Sequence, residues 1–205
     1  MKTFHLILRS KARFILSGVL ALALLAPVGC GNQPSVTSYQ SRAAGLGDKA
    51  PDFSLPDSTG HFVKLTDAQT GWYLVLVFYR GSWCGACLNQ LLNLKDDYPK
   101  FAPLHAALAA ISVDSIEDSA QFNDQWRFPF PLLSDTSLKL IDAYGIRHPN
   151  GHGVYDIARP TVVILDPHRV IRFKYVGTSP VDRPTDNEIL SAIQQIQQID
   201  AGSHS

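Results

Sequence analysis

The chain has 205 residues, of which 45% are hydrophobic and 18% are charged. This composition is that of an ordinary globular protein and excludes a disordered chain. The formal net charge is zero, but four of the 18 basic residues (Lys2, Arg9, Lys11 and Arg13) precede residue 30, where the sequence has no acidic residue. The other 14 basic residues face 18 acidic ones. The body of the chain is therefore mildly acidic, which argues against nucleic acid as a partner.

The N-terminus has the pattern of an export signal. The basic start is followed at 14–28 by an uncharged apolar run, too short to span a membrane as a helix, which takes about 20 residues. This order is typical of a secretory signal peptide. Because the run closes on Gly29 and Cys30, it resembles a bacterial lipoprotein signal, although Pro27 stands where that motif usually has Leu. We therefore expect a signal at 1–29 and an exported protein, anchored in the bacterial cell envelope by a lipidated Cys30. Ordinary cleavage, a retained anchor and a cytosolic chain are the alternatives.

The three cysteines limit the chemistry further. With Cys30 lipidated, Cys84 and Cys87 remain as one close pair, which is not the multiple-disulfide framework of a small secreted protein. A loop of three residues also constrains the unfolded chain little, because that benefit grows with loop length. A structural disulfide therefore explains the pair poorly, and a working dithiol and a metal clip remain.

The predicted elements alternate between strands and helices. After a polar tether at 30–46, two short alternating segments within 52–67 predict a β-hairpin. The predicted strands that follow are 73–79, 108–113 and the two strands of a hairpin at 161–177. The predicted helices are 83–98, a helix capped by Ser115, a short helix at 136–144 and a last helix opened by a capping box of Thr185 and Glu188. A stretch rich in Gly, His and Pro at 145–159 predicts a loop.

This order of elements indicates an α/β fold, with a sheet covered by helices on both faces. We expect one domain at 47–200, followed by a short tail at 201–205. Cys84 and Cys87 stand directly after a predicted buried strand and open a predicted helix. The N-terminus of a helix favours a thiolate over a thiol, and residues three apart on a helix are neighbours that can exchange a disulfide. The position therefore favours a redox dithiol.

A metal site is the alternative use of the same two sulfur atoms. His148 and His152 have the spacing of metal ligands, and with the two cysteines they would complete a zinc site or a copper carrier. The separation between the cysteines and the histidines is much longer than in a zinc finger. The plainer interpretation of the two histidines is a solvated loop.

Several short motifs resemble those of the thioredoxin superfamily. WCGAC at 83–87 differs in one residue from the WCGPC site of thioredoxins, and RPT at 159–161 resembles the cis-proline loop that faces that site. LVFYRGSWC, FPFPLLSD followed by AYG, and RPTVVILD resemble landmarks of the alkyl hydroperoxide reductase and thiol-specific antioxidant family, the peroxiredoxin relatives of thioredoxin. The resemblance covers about 47–200 and implies a thioredoxin-like fold, with a central mixed sheet flanked by helices and an N-terminal β-hairpin.

The resemblance implies a thiol-dependent antioxidant enzyme that needs no cofactor. In the peroxiredoxin motif, Cys87 takes the place of the cysteine that attacks a hydroperoxide, Cys84 that of a Thr, and Arg80 that of a Pro. Arg159 falls where the family keeps an arginine beside the reactive sulfur, which would favour the thiolate and polarise a peroxide. Cys84 would resolve a sulfenic acid on Cys87. A thioredoxin-like electron donor would then reduce the disulfide.

Thioredoxins imply the opposite order of attack. In that case Cys84 attacks first, Cys87 resolves, and the substrate is a protein disulfide of the cell envelope. Around the dithiol, the predicted residues of the active-site loops are Tyr79, Trp83, Pro160 and Thr161. For the two aromatic residues, packing at the end of a strand is the plainer alternative.

Overall fold

A computed structural model describes residues 43–68 and 71–202 of the chain. The strands are, in chain order, β1 (Ser54–Pro56), β2 (Phe62–Lys64), β3 (Tyr73–Phe78), β4 (Ala106–Ser112), β5 (Leu132–Ser134), β6 (Arg147–His152), β7 (Tyr155–Ala158), β8 (Thr161–Leu165) and β9 (Ile171–Val176). The helices are α1 (Leu65–Ala68), α2 (Gly85–Asp96), α3 (Ile116–Trp126), α4 (Lys139–Ala143) and α5 (Asp186–Gly202). Short 3-10 turns follow α2 at Tyr98–Lys100 and Ala102–Leu104.

Five strands form one mixed sheet in the order β5-β4-β3-β8-β9. The central strand, β3, is parallel to β4 and antiparallel to β8, and all six of its residues are buried. A strand covered on both faces needs apolar residues at every position, which explains why Tyr73–Phe78 is a continuous apolar run. β5 pairs in parallel with β4, and β9 is antiparallel to β8. The predicted α/β class and mixed sheet are confirmed.

Two apolar clusters cover the two faces of this sheet. Val77 of β3 belongs to one cluster with Leu91 of α2 and Ile193 of α5. Leu76, its neighbour in the strand, belongs to the other cluster with Ile141 of α4. Side chains alternate between the faces of a strand, so one strand anchors both clusters. Burial of each such side chain contributes roughly 1.5–3 kcal/mol.

The N-terminal hairpin and two helix caps agree with the sequence. β1 and β2 pair antiparallel and form the predicted hairpin. The hydroxyl of Ser115 accepts a hydrogen bond from the N–H of Asp118 (3.0 Å) at the start of α3. Thr185 and Glu188 exchange hydrogen bonds at the start of α5, as in a capping box. These caps satisfy N–H groups that have no acceptor within the helix itself.

The predicted loop at 145–159 is instead a β-hairpin, and that prediction is wrong. β6 and β7 pair antiparallel with His148 opposite Ile157, and their register shifts further along. Pro and Gly residues within β6 remove the alternation of apolar and polar residues that indicates a strand. The glycine has a packing reason, because a Cβ at Gly151 would lie 2.5 Å from the Cγ1 of Ile157.

Packed structure begins before the predicted start of the domain. Ala44 is buried, and its N–H donates to the carbonyl of Ala143 (2.9 Å). The ammonium group of Lys174 donates to the carbonyl of Ala44 (2.6 Å). The predicted signal peptide and Cys30 lie outside the described residues. Within 43–68 and 71–202, no helix has the length and apolar character that crossing a membrane requires.

Candidate active site

Cys84 and Cys87 lie where β3 leads into α2, and both are free thiols. Cys84 is the N-cap residue of α2, and its carbonyl accepts hydrogen bonds from the N–H groups of Cys87 (2.9 Å) and Leu88 (3.0 Å). Cys84 keeps 5% of its surface exposed, whereas Cys87 keeps none. The end of a buried strand thus places one cysteine at the edge of solvent and the other beneath it.

Two donors converge on the sulfur of Cys87. The backbone N–H of Arg80 donates to Cys87 Sγ at 3.4 Å, and Nη2 of Arg183 donates to it at 3.7 Å. Arg183 also donates through Nη1 to Oε1 of Gln90 (2.8 Å) and contacts the carbonyl of Pro180. A backbone dipole and a cation beside a sulfur stabilise the thiolate and any negative charge that develops next to it.

Close backbone packing between Gly177 and Asp182 fixes the position of the segment that carries Arg183. A Cβ at Gly177 would lie 2.1 Å from the carbonyl oxygen of Asp182. The carboxylate of Asp182 accepts hydrogen bonds from the N–H and the hydroxyl of Thr178 (2.7 Å each) and from the hydroxyl of Tyr175. These contacts fix the turn between β9 and α5, and with it the direction from which Arg183 reaches the dithiol.

When the pair of thiols has lost one of its two protons, the two sulfur atoms share the proton that remains. The pKa of Cys84 is lowered to about 5, first because the Cys87 thiol donates a hydrogen bond to it and further because Arg80 and Arg183 carry positive charge nearby. The pKa of Cys87 is raised, because its proton is held by Cys84 and because burial disfavours its charged form. The reduced pair is therefore a monoanion at neutral pH, with Cys84 as the more acidic thiol.

A buried carboxyl group lies beneath the loop that leads to the dithiol. Asp114 accepts a hydrogen bond from the N–H of Ser82 (2.8 Å), and its own N–H donates to the hydroxyl of Ser112 (3.1 Å). Burial raises the pKa of Asp114. Gly81 has a φ of 152°, and a Cβ there would lie 3.0 Å from Oδ1 of Asp114 and 2.4 Å from Nε1 of Trp83. The shape of this loop therefore depends on glycine at position 81.

Two contacts fasten the β6–β7 hairpin to the dithiol loop. The ring of His152 stacks on Trp83, with the ring centres 3.8 Å apart. Nη2 of Arg80 donates to the carbonyl of Gly151 (2.8 Å), and its guanidinium carbon lies 5.0 Å from the centre of the Trp83 ring. Trp83 thus connects the loop with the hairpin.

The remaining predicted site residues are Tyr79, Arg159, Pro160 and Thr161. Tyr79 is fully buried, and its ring packs in the core. Thr161 begins β8, and its hydroxyl donates to the carbonyl of Arg159 (3.0 Å). Arg159 and Pro160 line a cavity of about 30 Å³ together with Arg80. Among the described residues, the guanidinium group that bonds to a sulfur belongs to Arg183 and not to Arg159.

Arg80 and Arg183, which donate to Cys87 Sγ, and Gln90, which accepts from Arg183, each have a buried side-chain nitrogen without a hydrogen-bond acceptor in the described part of the chain. These nitrogens are Nε of Arg80, Nε2 of Gln90 and Nε of Arg183. Buried donors are normally paired, and an unpaired one costs roughly 1–3 kcal/mol. A ligand that places oxygen atoms beside these nitrogens would supply the acceptors. The arrangement therefore suits a substrate whose oxygen atoms gain negative charge.

The structure shows where the histidines of the metal alternative lie. Within 43–68 and 71–202, no group of three or more His, Cys, Asp or Glu side chains is placed to hold a metal ion. Of the two candidate histidine ligands, His152 stacks on Trp83 and His148 lies in the paired part of the hairpin.

Arg183, Gln90 and Asp114 were not predicted from the sequence as site residues. Gln90 follows Cys87 by three positions in the same helix, so helical spacing could have identified it. Asp114 closely follows β4, whose C-terminal end lies beside that of β3 because the two strands are parallel. That edge of a parallel sheet is where sites are expected. Arg183 lies 96 residues after Cys87, and its local sequence carries no signal of the contact.

Comparisons with known proteins agree with this geometry. Residues 46–174 match the AhpC/TSA family. Peroxiredoxin Bcp of Bacillus subtilis is 33% identical over 130 residues, which cover 62% of this chain and 82% of that protein. Selenocysteine-containing peroxiredoxin PrxU of Peptoclostridium acidaminophilum is 30% identical over 161 residues, 74% of this chain and 77% of that protein. The crystal structure of peroxidoxin BcpB from Mycobacterium tuberculosis has a TM-score of 0.67 and 25% identity, and the match covers 75% of this chain and 98% of that one. The chain therefore belongs to the AhpC/TSA family, as a peroxiredoxin-like thiol oxidoreductase with a thioredoxin-like fold.

Proposed function

We propose that the chain reduces hydroperoxides by cycling Cys84 and Cys87 between dithiol and disulfide. The observation that carries this proposal is the convergence of the Arg80 N–H and the Arg183 guanidinium on the sulfur of Cys87. A peroxide attacked there would bring its oxygen atoms among buried donors that lack acceptors, where negative charge develops as the O–O bond breaks. The peroxiredoxin relatives support the same reaction.

Cys87 attacks the peroxide in this proposal. In the monoanion, the shared proton moves to Cys84, and the Cys87 thiolate keeps its hydrogen bonds from Arg80 and Arg183. The thiolate attacks one peroxide oxygen, the O–O bond breaks, and the departing alkoxide takes up a proton. An alcohol (or water, from hydrogen peroxide) leaves, and Cys87 becomes a sulfenic acid. The Cys84 sulfur then attacks that of Cys87, the thiol proton and the sulfenic hydroxyl leave as water, and the disulfide forms.

Disulfide reduction is the second candidate function. The observation that favours it is the lowered pKa of Cys84, which stands at the start of α2 and keeps some exposed surface. A thiolate in that position can attack a protein disulfide, and the buried Cys87 can then resolve the mixed disulfide. The two functions therefore differ in which sulfur attacks first.

Single-cysteine variants separate the two functions. Reduced Cys84→Ser and Cys87→Ser are treated with hydrogen peroxide in the presence of dimedone, and mass spectrometry locates the labelled sulfenic acid. We expect rapid labelling of Cys87 in Cys84→Ser and only slow labelling of Cys87→Ser. Faster labelling of Cys84 would reverse the order of attack. Labelling of neither variant above the rate of free cysteine, together with rapid reduction of a protein disulfide, would overturn the peroxidase proposal in favour of the reductase.

We also propose that a thioredoxin-like protein supplies the electrons. The Cys84–Cys87 disulfide needs two electrons per cycle, and a dithiol protein supplies both in one exchange. The test is peroxide consumption with thioredoxin, thioredoxin reductase and NADPH. We expect NADPH oxidation to depend on peroxide and on both proteins. Turnover that proceeds with glutathione alone and gains nothing from thioredoxin would contradict this donor.

The anchor is a further part of the proposal. The basic start, the apolar run and Cys30 support a lipidated protein at the outer side of a bacterial membrane. Expression of the whole chain in a bacterium, followed by fractionation, should place the protein in membranes and Cys30→Ser outside them. Equal partition of the two proteins would contradict a lipid on Cys30.

A further inference from the structure

We propose that the tip of the β6–β7 hairpin and the indole beside it form the docking surface for the dithiol protein that reduces the disulfide. This docking surface consists of Trp83, Val154 and Tyr155. The inference rests on the proposed function, because it concerns the second half of the same redox cycle. The partner is defined by its chemistry as a protein with two neighbouring thiols in apolar surroundings.

The covalent step determines where such a partner must lie. Reduction begins when a partner thiolate attacks a sulfur of the disulfide, and Cys84 is the one of the two cysteines with exposed surface. The Cys84–Cys87 bond breaks, and Cys87 leaves as a thiolate that the Arg80 N–H and Arg183 stabilise before it takes up a proton. The partner's second thiol then loses its proton and attacks the partner's own sulfur in the mixed disulfide. Cys84 is released as a thiolate, the partner becomes a disulfide, and this chain is again a dithiol.

Three exposed apolar side chains lie on the loop that carries Cys84 and on the neighbouring hairpin tip. Trp83 directly precedes Cys84 and is 43% exposed, while Val154 and Tyr155 are 80% and 68% exposed. Trp83 and Tyr155 line the same cavity of about 370 Å³, so the hairpin tip and the indole are neighbours. Hairpin turns usually carry polar residues, and exposed apolar groups that lie together mark interaction sites. Aromatic side chains are also the ones that contribute most at protein interfaces.

The hairpin holds this surface in one position. The stacked rings of His152 and Trp83 join it to the dithiol loop. Within the hairpin, the carboxylate of Asp156 accepts hydrogen bonds from Nη1 of Arg147 (2.9 Å) and from the N–H of Asn150 (3.0 Å). A surface that is ordered before binding loses less conformational entropy when a partner docks. The contacts therefore favour a preformed docking site over a flexible tip.

The test compares a protein reductant with a small one. The purified protein is oxidised to its disulfide, and its reduction is followed by alkylation of the thiols formed, with either a bacterial thioredoxin or dithiothreitol as reductant. The variant is the double substitution Val154→Ser and Tyr155→Ser, which leaves both cysteines and Trp83 in place. The matched control is Phe62→Ser on the N-terminal hairpin, since Phe62 is 67% exposed, almost the same as Tyr155.

We expect thioredoxin to reduce the double variant about tenfold or more slowly than the unsubstituted protein. The rate with dithiothreitol should stay within about twofold. Phe62→Ser should match the unsubstituted protein with both reductants. An unchanged rate with thioredoxin would overturn the inference. An equal loss with both reductants would also overturn it, because the hairpin would then shape the site and not dock a partner. If the unsubstituted protein sediments as a dimer and the double variant as a monomer, at an unchanged thioredoxin rate, the surface belongs to a contact between two copies of this chain. The disulfide for this test is made with diamide, so its outcome is independent of whether peroxide oxidises the protein.

Discussion

Replacement of Arg183 by Met should slow the oxidation of the dithiol by peroxide substantially. Nη2 of Arg183 lies 3.7 Å from Cys87 Sγ. Two unit charges about 4 Å apart attract by about 4 kcal/mol at the effective dielectric of a protein surface. Because Arg183 is only partly buried, the net contribution should be nearer that of a charge-assisted hydrogen bond, about 1.5–3 kcal/mol. At 1.36 kcal/mol per factor of ten, the rate should fall roughly 10- to 150-fold.

Stopped-flow oxidation by hydrogen peroxide between pH 5 and pH 9 measures this effect. The pH series separates a change in the thiolate pKa from a change in the rate of the thiolate itself. Since the cation stabilises the thiolate, loss of the cation should also raise the apparent pKa of the pair. Arg127→Met is the matched control, because Arg127 is 76% exposed and pairs with Asp124 on the surface. We expect this control to keep both the rate and the pKa of the unsubstituted protein.

Arg159→Met is the variant that distinguishes between the two arginines. The resemblance to peroxiredoxins assigns the cation to Arg159, whereas the contact with Cys87 belongs to Arg183. An unchanged rate and pKa in Arg183→Met, with a large loss in Arg159→Met, would show that the contact has no catalytic effect. The arginine implied by the resemblance would then be the one that stabilises the reacting sulfur.

Three further predictions concern protonation and backbone packing. Because the pKa of Cys84 is lowered to about 5, the rate of its alkylation by iodoacetamide should stay high from pH 7 to pH 6 and fall about tenfold per pH unit below pH 5. A midpoint of the alkylation rate near pH 8 would contradict the hydrogen bond from Cys87. Burial and the charge of Asp97 raise the pKa of Asp186 to about 6, so the folded state loses stability as the pH rises from about 4 to about 6. In urea unfolding, Asp186→Asn should therefore raise the free energy of unfolding by about 1 kcal/mol at pH 7, after discounting for solvent screening, and by almost nothing at pH 4. An equal increase at both pH values would exclude the electrostatic cause. Gly177→Ala should lower the free energy of unfolding by about 1–3 kcal/mol, since its Cβ would lie 2.1 Å from a backbone oxygen, and unchanged stability would disprove that clash.

The central part of the fold could be predicted because its residues suit one environment only. Tyr73–Phe78 is apolar at every position, which fits a strand covered on both faces. The placement of Cys84 and Cys87 followed from that strand and from the helix predicted at 83–98. The caps at Ser115 and Thr185 were also predictable, since a helix start is determined by residues three positions apart.

The hairpin and the arginine contact could not be predicted, for two different reasons: the residue types of the hairpin are those of a loop, and the arginine contact joins distant parts of the chain. Pro149 and Gly151 are residues that patterns assign to loops, yet Gly151 lies in a strand where its missing side chain makes room for Ile157. Arg183 reaches the dithiol only through a turn whose packing depends on Gly177. Contacts between segments so far apart in sequence leave no periodicity or motif in either segment.

The rate of oxidation of the reduced protein by hydrogen peroxide, followed by tryptophan fluorescence, shows whether the chain is a peroxidase centred on Cys87. Trp83 adjoins Cys84 and stacks on His152, so its emission should report oxidation at the dithiol, either to a sulfenic acid on Cys87 or to the disulfide. We predict a second-order rate constant far above that of free cysteine in the same buffer, kept in Cys84→Ser and lost in Cys87→Ser. A rate constant equal to that of free cysteine would contradict a peroxidase centred on Cys87.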